Sequence, residues 1–383
     1  MSGRAAGAAS EAGAAGTTGA AGTASAPAAA DAGRRDAPRF TVVVPTVDRG
    51  VAILPTLRSV ASQSERSWEL LVVSDGSDDD TDDVVAAFAA GEPRCRLVRT
   101  ARHGHPGGPR NVGLREARGR YVAYLDHDDV ARPEHLATLG GLLDGGASWA
   151  CVGADRVGPD GTPGRATTAL DLVWHPELQL AGPLFEPSRT AHRRALVADV
   201  GGWWEDPRGL EDWDLWLRLA DAGHHPATST RRTVVLAEDP GSRRHRMGWS
   251  CTQALARLPD ADAAKRALDA LGSAATATRA REAAAADLGD WYARLLESDD
   301  LVSPAEGLPA DVPGLVREAL ADAPAPWGDV RVAPVGAGPA LVRVLPCARP
   351  AHARRVVTLA RRTQRRQLDV LRAAVDGATA LPV

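Results

Sequence analysis

Three aspartates close the apolar run YVAYLDHDD: Asp126, Asp128 and Asp129. Carboxylates crowded at a strand end repel one another, and a divalent cation relieves that cost. Oxygen-only ligands favour Mg²⁺ or Mn²⁺ over zinc, and such ions usually share their shell with substrate phosphates. A polar turn whose Asp129 caps the helix opening near Pro133 accounts for the same triplet. A further carboxylate, Asp75, ends the run WELLVVSD just before another helix start. There it can accept the imide N–H of a uracil or thymine ring, while Ser77, Asp78 and Asp80 read as turn and cap residues. Four of the ten tryptophans lie between Trp203 and Trp216. Trp213 and Trp216 follow helical spacing with Leu217 and Ala220 and read as core. Trp203 and Trp204 follow Gly201–Gly202 in a loop, where a ring can stack on an acceptor sugar.

These residues need a scaffold that gathers strand ends. RFTVVVP, WELLVVSD, RCRLVRT and YVAYLD are short apolar runs, separated by helical stretches through Leu54, Leu57 and Val60, through TDDVVAAFAA, and before PEHLATLGGLL. Strands alternating with helices at this spacing predict a parallel sheet covered on both faces, with ligands at the carboxyl ends of the strands. Further on, WWEDPRGLEDWDLWLRLADAG reads as a loop feeding a helix and RRTVVLAED as a returning strand. Beyond about Ser250 the chain turns Ala- and Arg-rich with helical periodicity. A β-hairpin is expected near 329–346, and a last helix from about Arg349 to Val375.

Composition sets the outer bounds. With 383 residues, 44% hydrophobic and 25% charged, the chain is long enough for one large domain or two ordinary ones with a real core. A net charge of -4 argues against a nucleic-acid binder. No apolar run approaches the roughly 18 residues a membrane span needs. Residues 1–38 hold 16 Ala and 7 Gly and no Leu, Ile or Val, so a disordered tail without a signal-peptide core is expected. Cys95, Cys151, Cys251 and Cys347 form no CxxC pair and read as buried thiols of a cytoplasmic protein. Lys265 is the sole lysine among 45 basic residues, a habit of GC-rich bacterial genomes. Residues 349–375 hold eight Arg and one Asp. A basic amphipathic helix can rest on anionic lipid, but a solvated face of a C-terminal region is the preferred reading.

Taken in order, VVVPTVDR, SVASQS, ELLVVSDGSDDDT, GGPRNVGLREARGRYVAYLDHDD, GLEDWDLWLRLADAG and RRHRMGWS make residues 39 to about 250 resemble the inverting glycosyltransferases of family 2. The resemblance implies a GT-A fold, a Rossmann-like α/β/α arrangement with a mostly parallel sheet, for 39–250. The resemblance does not extend to 251–383, where the helical periodicity predicts a mainly α-helical region. It also implies that Pro45 and Thr46 line the nucleotide pocket with Arg49 nearby, that Asp75 contacts the base, and that Arg110 and Asn111 lie beside the nucleotide. Asp126 and Asp128 resemble the Asp-x-Asp pair holding ribose and metal-bound diphosphate. Glu211 and Asp212 resemble the acidic pair near the acceptor, Asp212 being the base. His245 resembles a histidine of the closing segment that approaches the diphosphate or metal. Departures are Val47 in place of an aromatic, Asp48 in place of Asn, and Ser74 before Asp75. The extra acid at Asp48 is expected to bear on base or ribose preference.

Direct displacement at an anomeric carbon needs a base for the acceptor proton and a cation for the departing diphosphate. At a helix start, Asp212 is expected to be kept ionised by the positive end of the helix, and plain N-terminal stabilisation accounts for the same two acids. The expectation is a cytoplasmic hexosyltransferase-type enzyme with a UDP- or dTDP-sugar donor and Mg²⁺ or Mn²⁺. Its acceptor is open among a sugar, a lipid-linked intermediate, a protein and a small molecule. The rivals are a sugar nucleotidyltransferase, which wants a Gly-rich signature and a catalytic lysine near the first strand, and a non-catalytic nucleotide-sugar binding protein.

Overall fold

The structure, a computed structural model, describes residues 37–206, 208–238, 248–321, 329–335, 338–374 and 379–380. The expected tail, up to residue 36, lies outside them. From Pro38 on, the described residues belong to one compact unit.

The chain opens as β1 (Phe40–Thr46), α1 (Leu54–Ala61), β2 (Trp68–Asp75), α2 (Thr81–Gly91), β3 (Cys95–Thr100), α3 (Gly107–Glu116) and β4 (Tyr121–Tyr124). It continues through β5 (Val130–Ala131), α4 (His135–Asp144), β6 (Trp149–Val157), α5 (Pro176–Ala181), β7 (Thr190–Arg193), α6 (Arg194–Asp199), α7 (Glu211–Asp221) and β8 (Pro226–Ala237). These eight strands form one sheet in the order β3-β2-β1-β4-β7-β6-β8-β5. β7 runs antiparallel to β4 and β6, and β5 antiparallel to β8; the other pairings are parallel. This is the mostly parallel α/β sheet of the GT-A expectation.

Every residue of β1 and β2 is buried, as in interior strands covered on both faces. Phe40, Val42, Val44, Leu70 and Val72 pack on one face with Leu57 of α1 and Leu139 of α4. Val43, Val73, Val122 and Tyr124 pack on the other with Trp203 and Trp216. β1 has β2 on one side and β4 on the other. Chain order therefore reverses at β1, and a crevice opens at the carboxyl ends of these strands.

Four features depart from the sequence pattern. α3 is helical although GGPRNVGLRE is poor in helix formers. Its Gly113 lies so close to β1 that a Cβ would stand 2.4 Å from Val43 Cγ1, so glycine is required by close packing. β7 is a strand of mostly polar residues, defined by its place between β4 and β6 rather than by hydrophobicity. The region expected to be mainly helical, 251–383, instead opens with a strand, β9 (Trp249–Arg257), whose Cys251, Gln253 and Leu255 turn inward with strand periodicity. After α8 (Ala261–Leu271), α9 (Ala274–Leu296) and α10 (Val312–Ala321), β10 (Asp329–Val335) pairs antiparallel with β11 (Gly338–Cys347). The second sheet runs β10-β11-β9-β12, β12 being Thr379–Ala380.

The single last helix is the fourth departure. It breaks at Gln364 into α11 (Ala353–Thr363) and α12 (Arg365–Ala373). The break lets Asp287 of α9 accept the N–H groups of Arg366 and Gln367, satisfying the start of α12. Of the eight arginines here, Arg349, Arg355, Arg362, Arg366 and Arg372 face carboxylates of the protein. Arg355 pairs with Asp221 of α7 and Arg362 with Glu177 of α5, so the basic face clamps the C-terminal region to the large sheet's cover. All four cysteines are free and buried. No helix among the described residues is long and apolar enough to cross a membrane.

Candidate active site

A cavity of about 800 Å³ opens at the carboxyl ends of β1, β2 and β4. Its walls bring together Pro45, Thr46, Arg49 and Asp75 from β1, β2 and the turn after β1, Arg110 from α3, and Asp126 and Asp128 after β4. Glu211 and Asp212 close it from the first turn of α7. Asn111, Trp203 and Trp204 are not among the lining residues, and His245 lies outside the described residues.

At the β2 end, Asp75 is 3% exposed and held by the loop after β3. Its Oδ1 accepts the His103 backbone N–H at 2.8 Å and lies 2.7 Å from His103 Nδ1; its Oδ2 accepts from Gly104 at 3.0 Å. Gly76 turns the chain here at φ +64, where a Cβ would stand 2.8 Å from the Arg102 nitrogen. Asp48 does not line the cavity: it accepts from the Asp78 N–H at 2.8 Å and from Arg102 at 2.9 Å, tying together the turns after β1 and β2. Arg102 itself lines the cavity, and nothing in the local sequence marks it out.

Arg110 is the pivot of the middle. Its side chain is 2% exposed, and it donates to Asp126 Oδ1 at 2.7 Å and to Glu211 Oε1 at 2.9 Å. Burial works against its charge, but Asp126 and Glu211 outweigh that and hold it firmly protonated. The guanidinium also lies 4.7 Å from the Trp203 ring centre, a cation–π contact. Trp203 is 2% exposed, donates Nε1–H to Tyr124 Oη at 3.0 Å and packs edge-on against Tyr124 and Trp216. Its faces serve the core and Arg110. Asn111 exchanges hydrogen bonds with the Trp203 backbone and donates to Glu205, so it fixes this loop. Trp204 stacks on Trp249 of β9 at 6.4 Å between ring centres.

Asp126 and Asp128 side chains are each 34% exposed, and Asp128 Oδ2 lies 3.3 Å from Arg49 Nη2. Asp129 points inward instead. It accepts from Ser188 Oγ at 2.5 Å and from the Ala237 N–H at 2.8 Å, while Ser188 Oγ accepts the Asp126 N–H at 2.9 Å. This network, rather than a helix cap, is what Asp129 does. Burial and the charges of Asp126 and Asp128 push its carboxyl well above the usual range. Between them His127 sits 3.1 Å from Thr46 Oγ1, and burial and Arg49 push its pKa down to about 4, so it is neutral. Among the described residues, no three His, Cys, Asp or Glu side chains converge as a metal cage. Two half-buried carboxylates lining the cavity, Asp126 and Asp128, fit Mg²⁺ or Mn²⁺, whose remaining ligands are commonly water and substrate phosphate.

The acidic pair is aimed by backbone strain and buttressed from behind. Gly209 and Leu210 both have positive φ, 82 and 60, turning the chain into α7 so that its first turn faces the cavity. For leucine this costs about 1 to 2 kcal/mol. Deeper in α7, the fully buried Asp214 pairs with Arg218 at 2.9 Å and with Arg349 of the C-terminal region at 2.8 Å, the latter a charge contact without hydrogen-bond alignment. Arg218 in turn donates to Val200 and Gly202, the loop leading to Trp203. The helix start does not hold Asp212 low. Burial first, and then the neighbouring Glu211 charge, push its pKa up to about 7, against the pull of the Trp213 N–H and Arg110.

Residues 41–199 match the glycosyl transferase family 2 profile. The succinoglycan biosynthesis protein ExoO of Rhizobium meliloti is 36% identical over 157 residues, 41% of this chain and 44% of that protein. The GalNAc(5)-diNAcBac-PP-undecaprenol beta-1,3-glucosyltransferase of Campylobacter jejuni is 35% identical over 104 residues, 27% of this chain and 33% of its own. The matched segment thus spans less than half of either relative. The S. aureus TarS fragment 1–349, solved with UDP-GlcNAc, has a TM-score of 0.48 and 20% identity, covering 62% of this chain and 67% of that one. Glu211 and Asp212 lie beyond the matched segment, and the fold returns them to it. Residues 41–199, with their mostly parallel sheet and the carboxylates gathered at its edge, thus form a domain that matches glycosyl transferase family 2.

Proposed function

We propose that the chain transfers a sugar from a nucleotide diphosphate sugar to an acceptor hydroxyl with inversion at the anomeric carbon. One observation carries this reading: a single cavity holds Asp126 and Asp128 on one wall and Glu211 and Asp212 on another, with Arg110 joined to both walls at 2.7 and 2.9 Å. Nucleotide would lie over β1 and β2, its base at Asp75 and its ribose by Pro45, Thr46 and Asp126. An acceptor of imide N–H at Asp75 favours a UDP- or dTDP-sugar. The diphosphate would meet Asp128 and Arg49, where Mg²⁺ or Mn²⁺ fits; when bound, such an ion neutralises the departing diphosphate.

Asp212 takes the proton from the acceptor hydroxyl as that oxygen attacks the anomeric carbon. A carboxyl brought to about 7 by its surroundings is a stronger base than an ordinary one and is still ionised in half the molecules at neutral pH. Glu211, paired with Arg110, keeps its neighbour's proton affinity high. Attack from the face opposite the diphosphate inverts the configuration. The Campylobacter relative's name supports a lipid-linked sugar among the acceptors, alongside a polysaccharide, a protein or a small molecule.

The test is a thermal-shift and donor-hydrolysis screen of UDP-, dTDP- and GDP-sugars with and without Mn²⁺. Bound donor raises the melting temperature by mass action. Metal-dependent stabilisation with slow release of nucleotide diphosphate is the expected result. Binding without hydrolysis or transfer under any metal would leave a non-catalytic binding protein instead.

A further inference from the structure

The charges around the cavity follow the strand order. Among the described lining residues, Arg49 and Arg102 stand at the end over β1, β2 and β3, and Arg110 is already taken up by Asp126 and Glu211. The opposite end, past β4, is lined by Phe185, Pro187, Leu210 and Leu236 together with carboxylates, and one of these, Glu186, has no part in the chemistry above.

Glu186 is built in. It precedes the short 3-10 turn Pro187–Arg189 and is held from behind by two arginines. Arg189 Nη1 donates to its Oε2 at 2.9 Å, and Arg156 donates to its Oε1. Arg189 is itself buried and anchored to the Val152 carbonyl at 2.9 Å. Burial alone would raise the Glu186 carboxyl, but the two arginines outweigh it and bring it down to about 2, so it is ionised throughout the working range. Its side chain is 30% exposed, and it faces the cavity that holds Asp212. An ionised carboxylate has about four lone-pair sites, so two arginine contacts leave it able to accept a hydroxyl or ammonium hydrogen. It can only repel a second anion brought against it.

We propose that Glu186 is a specificity-determining residue that selects a donor whose sugar ring is neutral or amino-substituted and rejects one bearing a carboxylate. This rests on the nucleotide-sugar reading of the cavity, with the sugar lying between the diphosphate at Asp128 and the base Asp212. A fixed anion beside the ring accepts a hydroxyl hydrogen from a hexose, whereas a uronic acid places its own charge near Glu186, Glu211 and Asp212 with no uncommitted arginine among the described lining residues.

The experiment is calorimetric titration with Mn²⁺ of two matched series: UDP, UDP-glucose and UDP-glucuronic acid, and GDP, GDP-mannose and GDP-mannuronic acid. In the series whose diphosphate binds, the neutral sugar should bind at least as tightly as the bare diphosphate. The uronate should bind at least about tenfold more weakly than its neutral partner. Glu186→Gln should narrow that gap below about threefold while leaving affinity for the diphosphate unchanged. If the single variant fails to fold with its arginines unpaired, Arg156→Gln/Glu186→Gln removes one charge of each sign and should narrow the gap likewise. A wild-type protein that binds both sugars equally, or a gap that survives loss of the Glu186 charge, overturns the assignment. Failure of UDP and GDP, and of dTDP titrated with them, to bind wild type overturns the underlying nucleotide-sugar reading, a distinct outcome.

Discussion

Replacing Arg110 with Met keeps most of the side chain's volume but deletes the cation that faces both Asp126 and Glu211. Two unit charges about 4 Å apart are worth about 4 kcal/mol at an effective dielectric near 20, and Arg110 makes two closer contacts at 2.7 and 2.9 Å. Desolvation of the guanidinium offsets a large part of this, so the relevant scale is the cost of breaking a buried pair, about 3 to 5 kcal/mol. In a unit of this size that lowers the melting temperature by about 4 to 7 °C. A second effect is chemical. Arg110 lowers the proton affinity of Asp212, so its loss should push that carboxyl above about 7 and move the pH midpoint of turnover upward. Arg110→Lys keeps the charge but cannot fork toward two acids, and should fall between wild type and Arg110→Met on both measures. The assay is a melting curve and a pH–rate profile on the same preparations. An Arg110→Met protein with wild-type melting temperature and an unmoved pH midpoint would refute the pivot.

Asp212→Asn should cut turnover by about 10² or more with donor affinity barely changed, and near-normal turnover would move the base assignment to Glu211. With its pKa near 7, wild-type turnover should rise about tenfold per pH unit below that point and level off above it, as a pH–rate profile will show. Stability runs the other way: the folded-state pKa is above the unfolded value of 3.8, so the folded protein binds more protons between the two. This group's contribution is therefore fully present below about pH 4 and is lost as pH rises through about 7, as melting curves across that window should show. Asp128→Asn should raise the Mn²⁺ concentration needed for half-maximal donor binding by about tenfold or more; an unchanged metal requirement sinks the ligand assignment. Arg349→Met leaves the buried Asp214 with Arg218 alone and should destabilise by about 3 kcal/mol, with a fall in turnover larger than any change in donor affinity. Full turnover in a destabilised variant would show that the C-terminal region supports α7 without aiming its acids.

The alternation of strands and helices through β4, and the placing of Asp75, Asp126 and Asp128 at strand ends, are legible in the order of the residues alone. Those signals are local: an apolar run, a turn and a carboxylate at its mouth all fall within ten residues. Resemblance extended this to Glu211 and Asp212. The partners of these residues are set by the fold, because they depend on which distant side chains share a cavity. Arg110 and Glu211 are 101 residues apart in the chain and 2.9 Å apart in space. Trp203 looks like a loop aromatic until Tyr124, Trp216 and Arg110 take up its faces. Asp212 sits at a helix start that ought to favour its charge, yet burial against Glu211 reverses the sign, since desolvation depends on three-dimensional enclosure and not on helix position. The same holds for β9 and for the break at Gln364. Whether an Ala- and Arg-rich stretch becomes strand or helix there is decided by the edge of β11 and by the Asp287 carboxylate, each supplied by a part of the chain far away in sequence.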